Sequence, residues 1–205
     1  MAQALLSKYG GEDFEVLSAG VNAGVLNPMA VEVISEAENM DISSYTTNSI
    51  IDYFESEPLL RFRPELAYIL ATATHEANLK TDIREFGRGL GRKYGKVYWP
   101  TGQRYYGRGL CQLTWWFNYD KLGNLLDIDL LNNPDLALET NNSVKILIIG
   151  MLKGLFTGHS LREYVKSNEN FNFVPMRKII NGMDKANYIA NIAYKYLNII
   201  NLSNE

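Results

Sequence analysis

Between Thr81 and Thr114 the chain loses the helical spacing of apolar residues that marks it on either side and becomes rich in Gly, Tyr and Arg. Any fold for it must therefore be helical at both ends, with an irregular lobe between. Upstream, Asn27-Pro28 reads as a helix start, Asn capping free amides and Pro fitting the first turn; that helix should run to about Asn39. A second is expected over 49–55. A third opens at Pro64, carries Leu66, Ala67, Leu70, Ala73 and Ala77 on one side, and ends near Asn78. Glu65, Ile69, Thr72 and Glu76 form a separate stripe on it. Helical signals resume over 115–126, then 134–156, and in a C-terminal stretch where Ile189, Ile192, Ala193, Tyr196, Leu197 and Ile200 keep the spacing. Within the lobe, Thr101-Gly102 lies between Val97-Tyr98-Trp99 and Arg104-Tyr105-Tyr106 like a hairpin turn. The expected architecture is mainly α: a helical bundle around a small β-hairpin lobe, with a cleft between them.

Several function classes are excluded early. Twenty Lys and Arg against twenty-three Asp and Glu give a net charge of −3, so no overall basic field holds nucleic acid or an anionic membrane. One cysteine, Cys111, and two histidines provide neither an internal disulfide nor a usual zinc framework; no cofactor or metal is expected. The most apolar run, 144–156, contains Lys145 and Lys153 and is too short to span a bilayer; it reads as a buried helix, so no integral membrane segment is expected. Met1 to Ser7 lacks a basic start and the next stretch is polar, so no signal peptide is expected. The glycines from Gly87 to Gly91 follow no buried strand and lack a closing Lys-Ser/Thr pair, which argues against a phosphate-binding loop.

Two carboxylates stand out. Glu76 sits beside the packed face at the C-terminal end of the third helix, where the helix dipole and partial burial both disfavour its charge. Glu85 lies nine positions on, between Arg84 and Arg88, whose charges favour its ionised form. An acid and a base in opposed settings are what glycosidic bond hydrolysis requires, although a Glu between two Arg is also a common surface feature, and a Glu on a last helical turn is most often only solvated.

The stretch Tyr105-Tyr106-Gly107-Arg108-Gly109-Leu110-Cys111-Gln112-Leu113-Thr114, followed by Asn118-Tyr119, comes after Thr74-His75-Glu76 and before Ile179-Ile180-Asn181-Gly182. In this order the motifs resemble the family 19 chitinases and, more closely, their relatives among bacteriophage endolysins. Segments around Asn133, Met151 and Asn181 add to the endolysin likeness. The resemblance implies a lysozyme-like α+β catalytic domain over 26–205; the segment 1–25 matches nothing in it, and because no chemically paired residues lie there its role is expected outside catalysis. It implies Glu76 as general acid, Glu85 as the base that activates water, and Thr114 as a holder of that water. It places Tyr105, Gln112, Asn118 and Asn181 on the sugar, where amides and a phenol can hydrogen-bond hydroxyl and acetamido groups.

Each of these residues also has a plain structural reading. Thr114 could cap the following helix, Asn181-Gly182 could be only a turn, and Tyr105 could be packed in the lobe. Arg177 could pair with a catalytic-site carboxylate or solvate a helix end, and Trp115 and Trp116 read as core. The functional expectation is a peptidoglycan hydrolase of the phage endolysin or virion-lysozyme kind, monomeric, held in the host cytoplasm until it reaches the wall or carried by the virion. A chitinase and a non-catalytic glycan-binding protein are the alternatives.

Overall fold

The computed structural model describes residues 45–202. The segment 1–25, the helix expected from Asn27 and the last three residues lie outside it. Six α-helices are present among the described residues: α1 (Tyr45–Ser56), α2 (Arg63–Ala77), α3 (Trp116–Leu126), α4 (Thr140–Lys153), the short α5 (Leu161–Tyr164) and α6 (Ala186–Leu202). The mainly α expectation holds.

Helix α2 is the central element. Glu65 sits at its third position and its carboxylate accepts hydrogen bonds from the Arg61 and Phe62 amides, both at 2.9 Å, which fixes the start. Asn78 takes the left-handed conformation that ends the helix, and the Leu79 amide closes back on the Ala73 carbonyl at 3.1 Å. The two-faced reading of this helix needs correction. Glu65, Ile69 and Thr72 are as buried as Leu70 and Ala73, because α2 runs through the interior. It packs along α6, which presents Ile189, Ala193, Tyr196 and Ile200, and Thr74 bonds the Tyr196 hydroxyl at 2.7 Å. Only at its last turn does α2 approach the surface, and there it carries Glu76.

Other boundaries shift for local reasons. Helix α1 is already formed at Tyr45, the first described residue, upstream of the start expected at 49. The helix expected over 134–156 is two elements: a 3-10 turn, Pro134–Leu138, and α4, separated by Glu139 in an extended conformation (φ −65°, ψ 134°). Helix α4 is buried along most of its length, as expected for its apolar run, and ends at Gly154 in the left-handed region. No helix among the described residues is long and apolar enough to cross a membrane.

The lobe contains hardly any sheet. Its hairpin reduces to one antiparallel bridge, Tyr98 to Gln103, around a four-residue turn wider than the Thr101-Gly102 pair; the Gly102 amide bonds the Tyr98 carbonyl at 2.8 Å. Pro100 inside that turn has no N–H with which to extend a ladder. Regular pairing is replaced by a backbone clasp. Arg108 bridges both Arg84 and Leu113, Gly109 donates to the Ile83 carbonyl at 3.0 Å, and Leu110 donates to the Ser143 hydroxyl of α4 at 2.9 Å. Gly109 is obligatory here, since its φ is +71° and a Cβ would stand 2.5 Å from the Ser143 oxygen and 2.6 Å from the Ala137 carbonyl.

Candidate active site

The clasp 107–113 lies between the two carboxylates singled out in the sequence. On one side, burial and the nearby Glu76 charge push the Cys111 thiol up to about 12, which makes Cys111 an inert neighbour of Glu76. On the other, the Gly107 amide donates to Glu85 at 3.0 Å, and a Cβ on Gly107 would meet both the Gln112 side-chain oxygen and the Glu85 Cβ.

Glu76 has a cationic partner. Arg177, on the 3-10 turn Pro175–Ile179, donates from Nη1 to Glu76 Oε1 at 2.5 Å and from Nε to the Asp184 carbonyl at 3.1 Å. The arginine side chain is 5% exposed and the glutamate 18%, so the pair is mostly withdrawn from water. Of the two readings open for Arg177, the structure shows the carboxylate pair. Asn181 follows one turn later; its side chain is exposed, its Oδ1 accepts the Gly182 amide at 2.8 Å, and its own amide bonds the Arg177 carbonyl. It is thus a turn residue placed beside the Glu76–Arg177 pair. His75 packs edge-on against Tyr188, and burial pulls its imidazole below the ordinary value.

Glu85 is held differently, and not by the flanking arginines. Neighbouring residues on extended backbone point to opposite sides, so Arg84, bridged to Arg108, turns away from Glu85. Arg84 bonds Asp135 at 3.0 Å, and the exposed Arg88 makes no ion pair with Glu85. Glu85 instead accepts the Tyr94 hydroxyl at 2.6 Å on Oε1 and the Gly107 amide on Oε2. Burial and the bond to Glu85 raise the Tyr94 phenol, which therefore remains a donor at neutral pH. Tyr94 is a site residue the sequence reading missed; its only signal was an aromatic in the same loop as Glu85.

Gln112, at φ +50°, donates to the Gly109 carbonyl at 3.0 Å and the Ile83 carbonyl at 3.4 Å, pinning the clasp beneath Glu85. Thr114 is half-buried and does not cap α3. Trp115 holds the capping position at φ +69°, without a side-chain cap bond, and Asn118 reaches back to the Thr114 carbonyl at 3.0 Å. Tyr105 is 1% exposed and its hydroxyl donates to the Leu131 carbonyl at 2.7 Å, as in its packed reading.

The core assignment of the tryptophans needs correction. The positive φ at Trp115 turns the chain so that α3 gives Tyr119, Leu122 and Gly123 to the interior, while Trp116 and Phe117 stay at the surface. A row of rings results: Tyr94 meets Trp115 edge-on, Trp115 stacks on Phe117, and Trp116 stacks on Tyr98 with centroids 4.7 Å apart.

Behind the clasp, Arg108 is buried over the Tyr106 ring at 3.7 Å and bonds Asp135 at 2.7 Å, beside a cavity of about 680 Å³ whose lining includes neither Glu76 nor Glu85. Desolvation works to raise the Asp135 carboxyl, but the bonds from Arg108 and Arg84 prevail and hold it below its ordinary 3.8. A depressed carboxyl contributes stability that is complete above the unfolded value and lost as the pH falls through the folded one. Wild type and Asp135→Asn should therefore differ in Tm at pH 7 and converge as the pH drops below about 3.8, measured by thermal melts across that range. A constant difference would remove Asp135 from the clasp's stability.

Known proteins share both the motif stretch and the fold. The family model described as "Chitinase class I", of glycoside hydrolase family 19, matches residues 87–149. Basic endochitinase B of Arabidopsis thaliana is 58% identical over 41 residues, 19% of this chain and 12% of that protein. Inactive chitinase-like protein 1 of Hevea brasiliensis is 60% identical over 36 residues, 18% of this chain and again 12% of that protein. The similarity thus spans about an eighth of each plant relative. Chitinase C from Streptomyces griseus HUT6037 superposes with a TM-score of 0.63 at 22% identity, covering 89% of this chain and 96% of that one. The chain thus has the chitinase-like fold of glycoside hydrolase family 19, and the residues matched by the family model include the clasp 107–113.

Proposed function

We propose that this chain is a peptidoglycan hydrolase that cuts the glycan of bacterial cell walls by acid/base hydrolysis with inversion, acting as a phage endolysin or virion-associated lysozyme. The observation that carries the hydrolase reading is the opposed holding of two carboxylates on either side of one clasp. Glu76 is mostly withdrawn from water at a helix end; Glu85 accepts a phenol and a backbone amide. In this reading Glu76 protonates the leaving glycosidic oxygen, while Glu85, with the Thr114 hydroxyl, activates a water on the opposite face of the sugar. Asn118 and Asn181 supply amides to the sugar. The exposed faces of Trp116 and Phe117, close to Tyr94, offer apolar surfaces for sugar rings.

Peptidoglycan is preferred on the endolysin-like segments around Asn133, Met151 and Asn181. One observation favours chitin: several plant proteins that match part of this chain are endochitinases by name. A relative called inactive shares comparable identity over a stretch of similar length, so this short likeness does not by itself separate working enzymes from silent ones. Release of sugars from purified wall and from colloidal chitin, measured side by side, tests the substrate. Faster release from wall supports peptidoglycan, and faster release from chitin overturns it.

A further inference from the structure

From Ile83 to Tyr119, Glu85 is the single acidic residue against seven Lys and Arg, in a chain whose net charge is −3. Arg84 and Arg108 are both tied to Asp135. Arg88, Arg92, Lys93 and Lys96 are all exposed, and among the described residues none of them forms an ion pair. They are presented on a stiff knuckle. Gly89 and Gly95 pack backbone to backbone so closely that a Cβ on Gly95 would overlap the Gly89 carbonyl, and the Arg92 amide bonds that same carbonyl at 2.9 Å. The knuckle adjoins the site: Tyr94, between these cations, donates to Glu85, and the Arg92 charge acts on the Tyr94 phenol.

A chitin chain is uncharged and offers four unpaired cations no opposite charge, only neutral hydrogen-bond acceptors. Peptidoglycan differs by carrying short peptides with free carboxylates along the glycan. We propose that Arg88, Arg92, Lys93 and Lys96, on the loop that carries Glu85, bind the carboxylates of the peptides attached to the wall glycan. The proposal rests on the peptidoglycan reading and extends it: the catalytic clasp engages the sugar, and the knuckle beside it selects a glycan bearing anionic side groups. Exposed charge contacts are individually weak, each worth at most about a fivefold change in affinity, so the effect comes from several acting together and weakens as salt rises.

The test is co-sedimentation of the full chain with insoluble Gram-negative sacculi, either native or with their carboxyls capped as glycinamides. The variants are wild type and the triple substitution Arg92→Gln, Lys93→Gln, Lys96→Gln, with Tm as the check on folding. Capping should weaken wild-type binding by about tenfold. The triple variant, with unchanged Tm and only Arg88 left of the four, should bind native sacculi nearly as weakly and lose most of its response to capping. Wild-type binding that ignores capping overturns the proposal, as does a triple variant that binds native sacculi as tightly as wild type or still responds fully to capping. These outcomes are independent of cleavage. A protein that binds in this carboxylate-dependent way but releases sugar only from chitin would sink the substrate reading and leave the anionic site standing.

Discussion

Glu76→Gln should leave a folded protein whose wall-cleaving rate is lower by about a hundred- to ten-thousand-fold, the usual worth of general acid–base help. The amide keeps an oxygen for the Arg177 Nη1 donor, and Arg177 retains its bond to the Asp184 carbonyl, so the geometry around the helix end survives. What is lost is the proton for the leaving oxygen and the negative charge facing a guanidinium that is itself 5% exposed. Removing a charge from a mostly buried pair destabilises, so Tm should fall while circular dichroism at working temperature is unchanged. Single-turnover rates on purified wall, read beside that spectrum, separate lost chemistry from lost fold. Activity within a few-fold of wild type would remove Glu76 from the reaction.

Glu85→Gln should cost activity on the same scale, about a hundredfold or more, with a smaller effect on stability. The Gln oxygen can still accept the Gly107 amide, and the new NH2 can face Tyr94 once that hydroxyl rotates to accept instead of donate. The clasp therefore remains closed while the base that would take a proton from water is gone. If the defect lies in the base, a strong small-molecule nucleophile such as azide should restore part of the turnover in Glu85→Gln and none in Glu76→Gln. Equal rescue of both variants, or a Glu85→Gln enzyme as active as wild type, would contradict the roles given to the two residues.

Much of the scaffold of this site was legible because it depends on local rules. The opening of α2 near Pro64, its end at Asn78 and the buried apolar run of α4 are set by residues within a turn or two of each other. The clasp was visible as a motif, and only the structure shows why Gly107 and Gly109 belong to it: neither leaves room for a side chain. The misses come from long-range pairing. Arg84 was read as a partner of Glu85 because they are adjacent, yet its carboxylate is Asp135, 51 residues away. Likewise, nothing near Glu76 in the sequence showed that a guanidinium 101 residues on would close upon it, although Arg177 was among the candidates. Trp115 and Trp116 were assigned to the core by size alone, and one residue at positive φ turned their helix the other way. The hairpin survives as one bridge because Pro100 and the clasp leave no continuous ladder.

In the proposed reaction Glu76 and Glu85 hydrolyse a wall glycan in one displacement, with water entering opposite the leaving oxygen. Such a mechanism needs roughly 6.5 to 9.5 Å between the carboxyl groups when substrate is bound, and it leaves no bond between sugar and protein. Its most direct test is a proton NMR time course that follows the anomeric signal of freshly cut soluble wall glycan strands, before mutarotation mixes the anomers. The first product formed from the β-linked strand should be the α-anomer; a β-anomer appearing first would rule out single displacement by this pair.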